Sequence, residues 1–134
     1  MALAILVAVT IGAGLLVHRF GDGAAGDIAG DALYAVMIYL FAVFVFPNAR
    51  PVTRAPAAVA VCFGIELLQS TGLPRAWSSV FPPAGLVFGT GFDPRDLVVY
   101  ASAILIATLI DVLIRRIIRR GTAPEGALPQ ESAL

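Results

Sequence analysis

Between Asp96 and Asp111 the chain runs for fourteen residues without a charge, Leu97 to Ile110, and then carries four arginines in six positions, Arg115, Arg116, Arg119 and Arg120. An uncharged run of this kind ending in a basic cluster is the pattern of a helix that crosses a bilayer and leaves its basic end in the cytoplasm. Three further apolar stretches precede it. The spans predicted from hydropathy are about residues 2–18, 31–47, 54–70 and 96–115. They are shorter than the roughly twenty residues that fill a hydrocarbon core, so flanking polar residues are expected to complete each helix.

Composition agrees: 59% of residues are hydrophobic and 13% charged, against about 25% charged in a soluble domain. The expected fold is all-α, a polytopic transmembrane four-helix bundle occupying residues 1–120 as a single domain, followed by a short flexible cytoplasmic tail over residues 121–134. The first span lacks the basic n-region of a secretory signal and is expected to be retained. Its Gly12, Ala13 and Gly14 offer a small-residue surface for close helix packing. Cys62 is the only cysteine, which excludes an internal disulfide and a cysteine metal cluster and suits a small core residue.

All nine basic residues are arginine. Four follow the last span and Arg50 and Arg54 lie between the second and third, so the rule that basic loops stay inside puts both termini in the cytoplasm and Arg19, Arg75 and Arg95 on the opposite side. The expected location is the bacterial inner (plasma) membrane, multi-pass. The segment Phe20 to Asp31, rich in glycine and aspartate, reads as a flexible outer loop. The segment Ser70 to Arg95 mixes Trp77, Val80, Phe81, Leu86, Val87, Phe88 and Phe92 with Pro74, Pro82 and Pro83. Such an apolar loop between helices 3 and 4 is expected to be interfacial or re-entrant, with Trp77 at headgroup depth.

This topology gathers polar residues on the outer side: Asp31 and Tyr34 open the second span, Glu66 and Gln69 close the third, and Asp93, Asp96 and Tyr100 begin the fourth. At 1.5 Å per residue Glu66 lies about 5 Å below the end of its helix and Tyr100 about 6 Å below Asp96. Glu66 and Gln69 share a helical face, as do Cys62 and Glu66. Glu66 has no basic residue within a helical turn, so it should face the bundle interior. Asp93 before Pro94 reads as the N-cap of the last helix, which leaves Asp96 for another role, whereas capping accounts for Asp31 nearly as well as function does. An i,i+4 pair with Arg115 accounts for Asp111.

Asp31, Tyr34, Glu66, Gln69, Asp93, Asp96 and Tyr100 are therefore the candidate ligand-binding residues, with Glu66 and Asp96 the catalytic candidates and Asp31, Glu66 and Asp96 the metal candidates. Grouped acids can chelate a divalent cation, perform acid and base steps on a headgroup, or carry protons. The chain contains no HExxH, no phosphate loop and no GxSxG, and Ser70, Ser78 and Ser79 are far in sequence from the single histidine, His18. Nucleic-acid binding is not expected, because topology and contacts with anionic lipids explain the arginine cluster.

The stretches GDALYAVMIYLFAVFVFP, FGIELLQ and GTGFDPRDLVVY together resemble the small bacterial DUF2809 membrane proteins and, more remotely, the VanZ-like proteins, over about residues 26 to 112. In the VanZ-like pattern an acid opens one helix, a glutamate and glutamine three apart close the next, and aspartates precede the last, which correspond here to Asp31, to Glu66 with Gln69, and to Asp93 with Asp96. Tyr100 stands where that pattern has asparagine, and Ser102 and Ala103 where a glycine follows, which favours the DUF2809 branch. The remoter resemblance implies a role near cell-envelope precursors, since VanZ-like proteins are associated with reduced susceptibility to a glycopeptide antibiotic. DUF2809 implies no activity.

The function expected from sequence is binding of a cell-envelope lipid or glycolipid headgroup in an outward-facing acidic pocket, with a divalent cation as a candidate cofactor and membrane lipids or a membrane protein as partners. The alternatives are an enzyme that modifies such a headgroup and a structural or accessory subunit of a membrane complex. The topology has a direct test: a reporter after Leu134 is expected in the cytoplasm and a probe between Gly21 and Gly26 outside. Accessibility of the C-terminus from outside would contradict four spans with both termini in.

Overall fold

The computed structural model describes residues 2–89 and 91–121 and contains six helices in this range: α1 (Ala2–Phe20), α2 (Gly23–Val45), α3 (Pro51–Ser70), α4 (Leu73–Val80), α5 (Pro83–Phe88) and α6 (Pro94–Gly121). Four of them, α1, α2, α3 and α6, are long and apolar enough to cross a membrane, with mean hydropathies between 1.4 and 2.5. The protein is thus a multi-pass helical membrane protein. Large apolar side chains such as Val9, Leu16, Phe41, Phe44 and Leu105 cover its outside, as expected where lipid replaces water. The expected tail lies outside the described residues except for Gly121, which closes α6.

Helix α2 is the centre of the bundle: it packs against α1, α3 and α6, and α6 packs in turn against α3. The shared core is Ala35 and Tyr39 of α2, Ala58 and Cys62 of α3, and Tyr100, Ala103 and Ile104 of α6. Four of these seven are alanine or cysteine, so the backbones approach closely, which is how helices gain van der Waals contact when lipid supplies no hydrophobic drive. Cys62 is fully buried and free, as its small size suggested.

Two sequence expectations are corrected at the first hairpin. The loop expected from Phe20 to Asp31 contracts to Gly21 and Asp22, and α2 begins at Gly23 rather than near Asp31. Glycine disfavours a helix interior by only about 1 kcal/mol per residue, and here the small residues permit a contact that loop composition does not reveal. A Cβ on Gly26 would stand 2.7 Å from the Gly21 carbonyl carbon, and one on Gly21 2.5 Å from the Val17 carbonyl oxygen. Only glycine lets the two backbones pass there. Conversely, Gly12 and Gly14 have no atom within 4 Å of a built Cβ, so the expected packing surface on α1 is not used within this chain.

The inner face of α3 is a stripe at helical spacing, Arg54, Ala58, Cys62, Glu66 and Gln69, all buried. It starts and ends with polar groups. At the first end, Arg54 was read from sequence as a loop charge marking topology, but its side chain is fully buried. Its Nη1 donates to Asp111 Oδ2 at 3.2 Å, Nε to the Phe46 carbonyl at 2.9 Å and Nη2 to the Pro47 carbonyl at 2.5 Å. The guanidinium therefore satisfies carbonyls beyond the end of α2, where the helix dipole favours a cation. Asp111 also accepts from Tyr39 at 3.0 Å and, as the spacing predicted, from Arg115 Nε at 2.7 Å. One carboxylate thereby joins α2, α3 and α6.

Removing one member of this knot leaves the other charge without its partner in a low-dielectric setting. Arg54→Leu alone is expected to lower unfolding stability in detergent by about 3 kcal/mol, as found for broken buried pairs, and Asp111→Asn by a similar or smaller amount. The double substitution Arg54→Leu/Asp111→Leu should be less damaging than the sum of the singles. Single variants that melt with the wild type would show that the knot does not hold the bundle.

Candidate functional site

At the opposite end of the bundle, where α3 finishes and α2 and α6 begin, the sequence places most of its remaining acids. This acidic end is closed by α4 and α5, into which the expected apolar loop folds. Pro74 and Pro83 stand in the first turns of these short helices, where a missing amide costs nothing. Trp77 meets Phe88 edge to face at 5.6 Å between ring centroids. The pair is tied to the bundle by side chains reaching its carbonyls: Tyr34 donates to Val87 O at 2.7 Å and Gln69 Nε2 to Phe88 O at 2.8 Å.

After α5 the chain turns back through Gly89, at φ 67° and ψ −176°. The next helix starts as its sequence predicted. Asp93 Oδ1 accepts the Arg95 amide at 2.9 Å, capping α6 with Pro94 at its first position. Glu66 is completely buried, and its Oε1 accepts the Asp93 amide at 2.7 Å. The glutamate thus braces the start of α6 against the end of α3. Tyr100, one turn below Asp96, lies alongside the same carboxyl and faces the Tyr34 ring at 6.2 Å.

Asp31 does not open its helix. It lies in the third turn of α2, so capping, the alternative explanation for it, does not apply. Its carboxyl adjoins that of Asp96, which comes to it from α6. Two carboxyl groups in contact need a proton or a cation between them. Arg95, read from sequence only as a topology marker, is the nearby cation: Nε stands 3.8 Å from Asp96 Oδ1 and Nη2 3.5 Å from Asp93 Oδ2. At 3.8 Å it is a charge neighbour and not a hydrogen-bond donor.

Asp31, Tyr34, Gln69, Asp96 and Tyr100 line one open cleft of about 690 Å³, into which α1 also contributes His18. Away from the acids its walls are apolar, formed by Ile11, Leu15, Leu33, Met37 and Ile65. Of the seven sequence candidates, five therefore share the cleft. Glu66 stands behind it as a brace, and Asp93 caps the helix at its edge. Three buried side-chain oxygens have no hydrogen-bond partner among the described residues: Glu66 Oε2, Gln69 Oε1 and Asp96 Oδ1. Among the described residues no three metal-ligating side chains converge in a way that would hold an ion.

Sequence reasoning missed Arg95, Asp27 and His18 in this cleft. His18 and Asp27 lie across the α1–α2 turn that was expected to be a flexible loop, and only the tight hairpin brings them in. Gly89 is one of the loop glycines, with Gly85 and Gly91, whose composition signals a turn, but its role depends on Gln69. A Cβ at Gly89 would lie 2.5 Å from Gln69 Nε2. Gly89→Ala is thus expected to displace Gln69 from Phe88, strain a left-handed backbone, and lower stability by about 1–3 kcal/mol. A melt in detergent indistinguishable from that of the wild type would contradict this geometry.

Compared with known proteins, the chain matches one family model, described as a protein of unknown function, DUF2809, over residues 20–104. That interval runs from the end of α1 into α6 and includes all seven sequence candidates of the acidic end, while Asp111 and the arginine cluster fall outside it. No curated protein and no solved structure matches.

Proposed function

As a member of the DUF2809 family, the chain belongs to a group whose description carries no activity, and we propose from its own residues that it binds a membrane amphiphile whose headgroup is rich in hydrogen-bond donors. The single observation that carries this reading is the pair of buried oxygens on cleft-lining side chains that have no hydrogen-bond partner among the described residues, Gln69 Oε1 and Asp96 Oδ1. Each unsatisfied buried acceptor costs about 1–3 kcal/mol, which a bound donor would recover. An ionised carboxylate and a glutamine carbonyl oxygen only accept. The complementary ligand brings hydroxyl or ammonium groups, as a glycolipid or an amine-bearing lipid does.

The shape of the cleft supports an amphiphile over a free sugar or amine. Its polar residues lie at one end, and the apolar walls from α1, α2 and α3 continue below them. A headgroup would meet Asp31, Asp96, Gln69 and Tyr100 while its chain follows Ile11, Leu15 and Met37. This fits the cell-envelope lipid or glycolipid expected from sequence, and the remoter VanZ-like resemblance points to the same class of molecule. A divalent cation between Asp31 and Asp96 would serve the same oxygens and could bridge to a phosphate-bearing headgroup. The contact between these two carboxyls also favours a second reading, an enzyme in which one of them is the acid and the other the base for a step on the headgroup.

Native mass spectrometry of the full chain, with a glycosylated diacylglycerol and a phosphatidylcholine of matched chains, tests the proposal. The wild type is expected to retain the glycolipid preferentially, and Asp96→Asn to reduce that retention about tenfold with a melting temperature within a few degrees. Glu66→Gln keeps an oxygen for the Asp93 amide, so stability is expected to hold and binding to fall only if Oε2 meets the ligand. Retention in E66Q would leave Glu66 as a brace alone. Equal retention of both lipids by the wild type would overturn the headgroup reading and favour an accessory subunit. Loss of binding in chelator would assign the cation, and an altered lipid product would assign the enzyme.

A further inference from the structure

A donor-rich headgroup can present hydroxyls or an ammonium, and the charges around the acidic cleft decide between them. Three acids line it, Asp27, Asp31 and Asp96, against Arg95 and His18. Arg95 answers little of this charge, because its side chain is 42% exposed and stands 3.8 Å from Asp96 Oδ1, too far to donate. Asp31 and Asp96 adjoin one another. Two carboxyls in contact on membrane helices need a proton or a cation between them. A sugar hydroxyl brings hydrogen-bond donors without a charge, whereas an ammonium brings both.

The buried oxygens specify which ammonium. Gln69 is 8% exposed, and its Nε2 donates to Phe88 O, which sets the orientation of the amide. The atom left without a hydrogen-bond partner among the described residues is then Oε1, and Asp96 Oδ1 is in the same condition on the α6 wall. A quaternary ammonium has no N–H for either oxygen, whereas a primary ammonium has three. Tyr34 and Tyr100 line the same cleft with their ring centroids 6.2 Å apart. The Tyr34 hydroxyl is committed to Val87 O, so what Tyr34 adds for a headgroup is its ring, which also attracts a cation.

The walls distinguish a lipid amine from a soluble one. Ile11 and Leu15 of α1 line the cleft and are exposed, and on a membrane-spanning helix that exposure is toward hydrocarbon. Beside them Gly14 also lines the cleft, and no atom stands within 4 Å of a Cβ built on it. An acyl chain fits the space that this glycine leaves open.

We propose, resting on the amphiphile reading above, that the cleft takes the primary ammonium headgroup of an aminophospholipid, held by Asp31, Asp96 and Gln69, with an acyl chain passing over Gly14. Arg95, drawn only loosely to Asp93 and Asp96, is then placed to meet the phosphate that follows the amine.

Native mass spectrometry of the full chain in detergent tests this with phosphatidylethanolamine, phosphatidylcholine and a glycosylated diacylglycerol of matched chains. The first two differ only in methylation of the nitrogen. Wild type is expected to retain phosphatidylethanolamine about tenfold over phosphatidylcholine, and above the glycolipid. Asp31→Asn is expected to remove that preference; should it fail to fold, the wild-type comparison decides alone. Gly14→Leu, which meets no atom and favours the helix, is expected to keep the melting temperature and reduce retention of all three lipids. Free ethanolamine at the lipid's concentration should leave phosphatidylethanolamine bound. Retention of the glycolipid but not of phosphatidylethanolamine above phosphatidylcholine would overturn the ammonium and leave the amphiphile reading standing. Equal retention of all three would overturn both. A preference that survives D31N, full retention in G14L, or displacement by free ethanolamine would each overturn the assignment as well, the last in favour of a soluble amine.

Discussion

The buried guanidinium of Arg54 sets the terms on which this bundle can form. A charge removed from water must be matched by a counter-charge and by acceptors for its remaining hydrogens, and Arg54 meets that demand with Asp111 and the carbonyls of Phe46 and Pro47. Because these partners belong to α6 and to the end of α2, satisfying one side chain fixes the position of three helices. Tyr39 and Arg115 complete the coordination of Asp111. The small residues between, Ala35, Ala58 and Ala103, then allow contact over the middle of the bundle.

The acidic end solves the same problem incompletely. Glu66 holds the Asp93 amide and Gln69 holds Phe88 O, so both secure the chain between α5 and α6. Among the described residues each also retains an oxygen without a hydrogen-bond partner, as does Asp96. The two ends of α3 thus differ in kind: at one every polar atom of the arginine's guanidinium fork is used to join helices, and at the other acceptors remain over beside a cleft. That difference is why the ligand proposal belongs to the acidic end and the stability prediction to Arg54.

Individual residues show what could be read early. The capping of α6 by Asp93 with Pro94 at its first position, and the Asp111–Arg115 pair, were legible because both are local, spanning two and four residues. The grouping of Asp31, Gln69, Asp96 and Tyr100 was legible because helix direction alternates and assigns each to an end. Arg54 was misread as a loop charge, since burial depends on partners 57 residues away in Asp111. The segment from Phe20 to Asp31 was misread as a loop because its glycines signal freedom locally, whereas their use is the approach of Gly21 to Gly26 between two helices.

Sequence alone determined that this chain is a helical membrane protein with four spans, because in hydrocarbon each backbone must satisfy its own hydrogen bonds, and hydropathy marks where that is required. It also determined which residue types stand at each end, because a helix places its residues at a fixed rise. Tertiary structure decided which of those residues are used. Whether an acid caps, braces or faces a cleft, and whether an arginine is exposed or buried, depends on what the neighbouring helix presents at the same depth, and composition within one span carries no record of its neighbour.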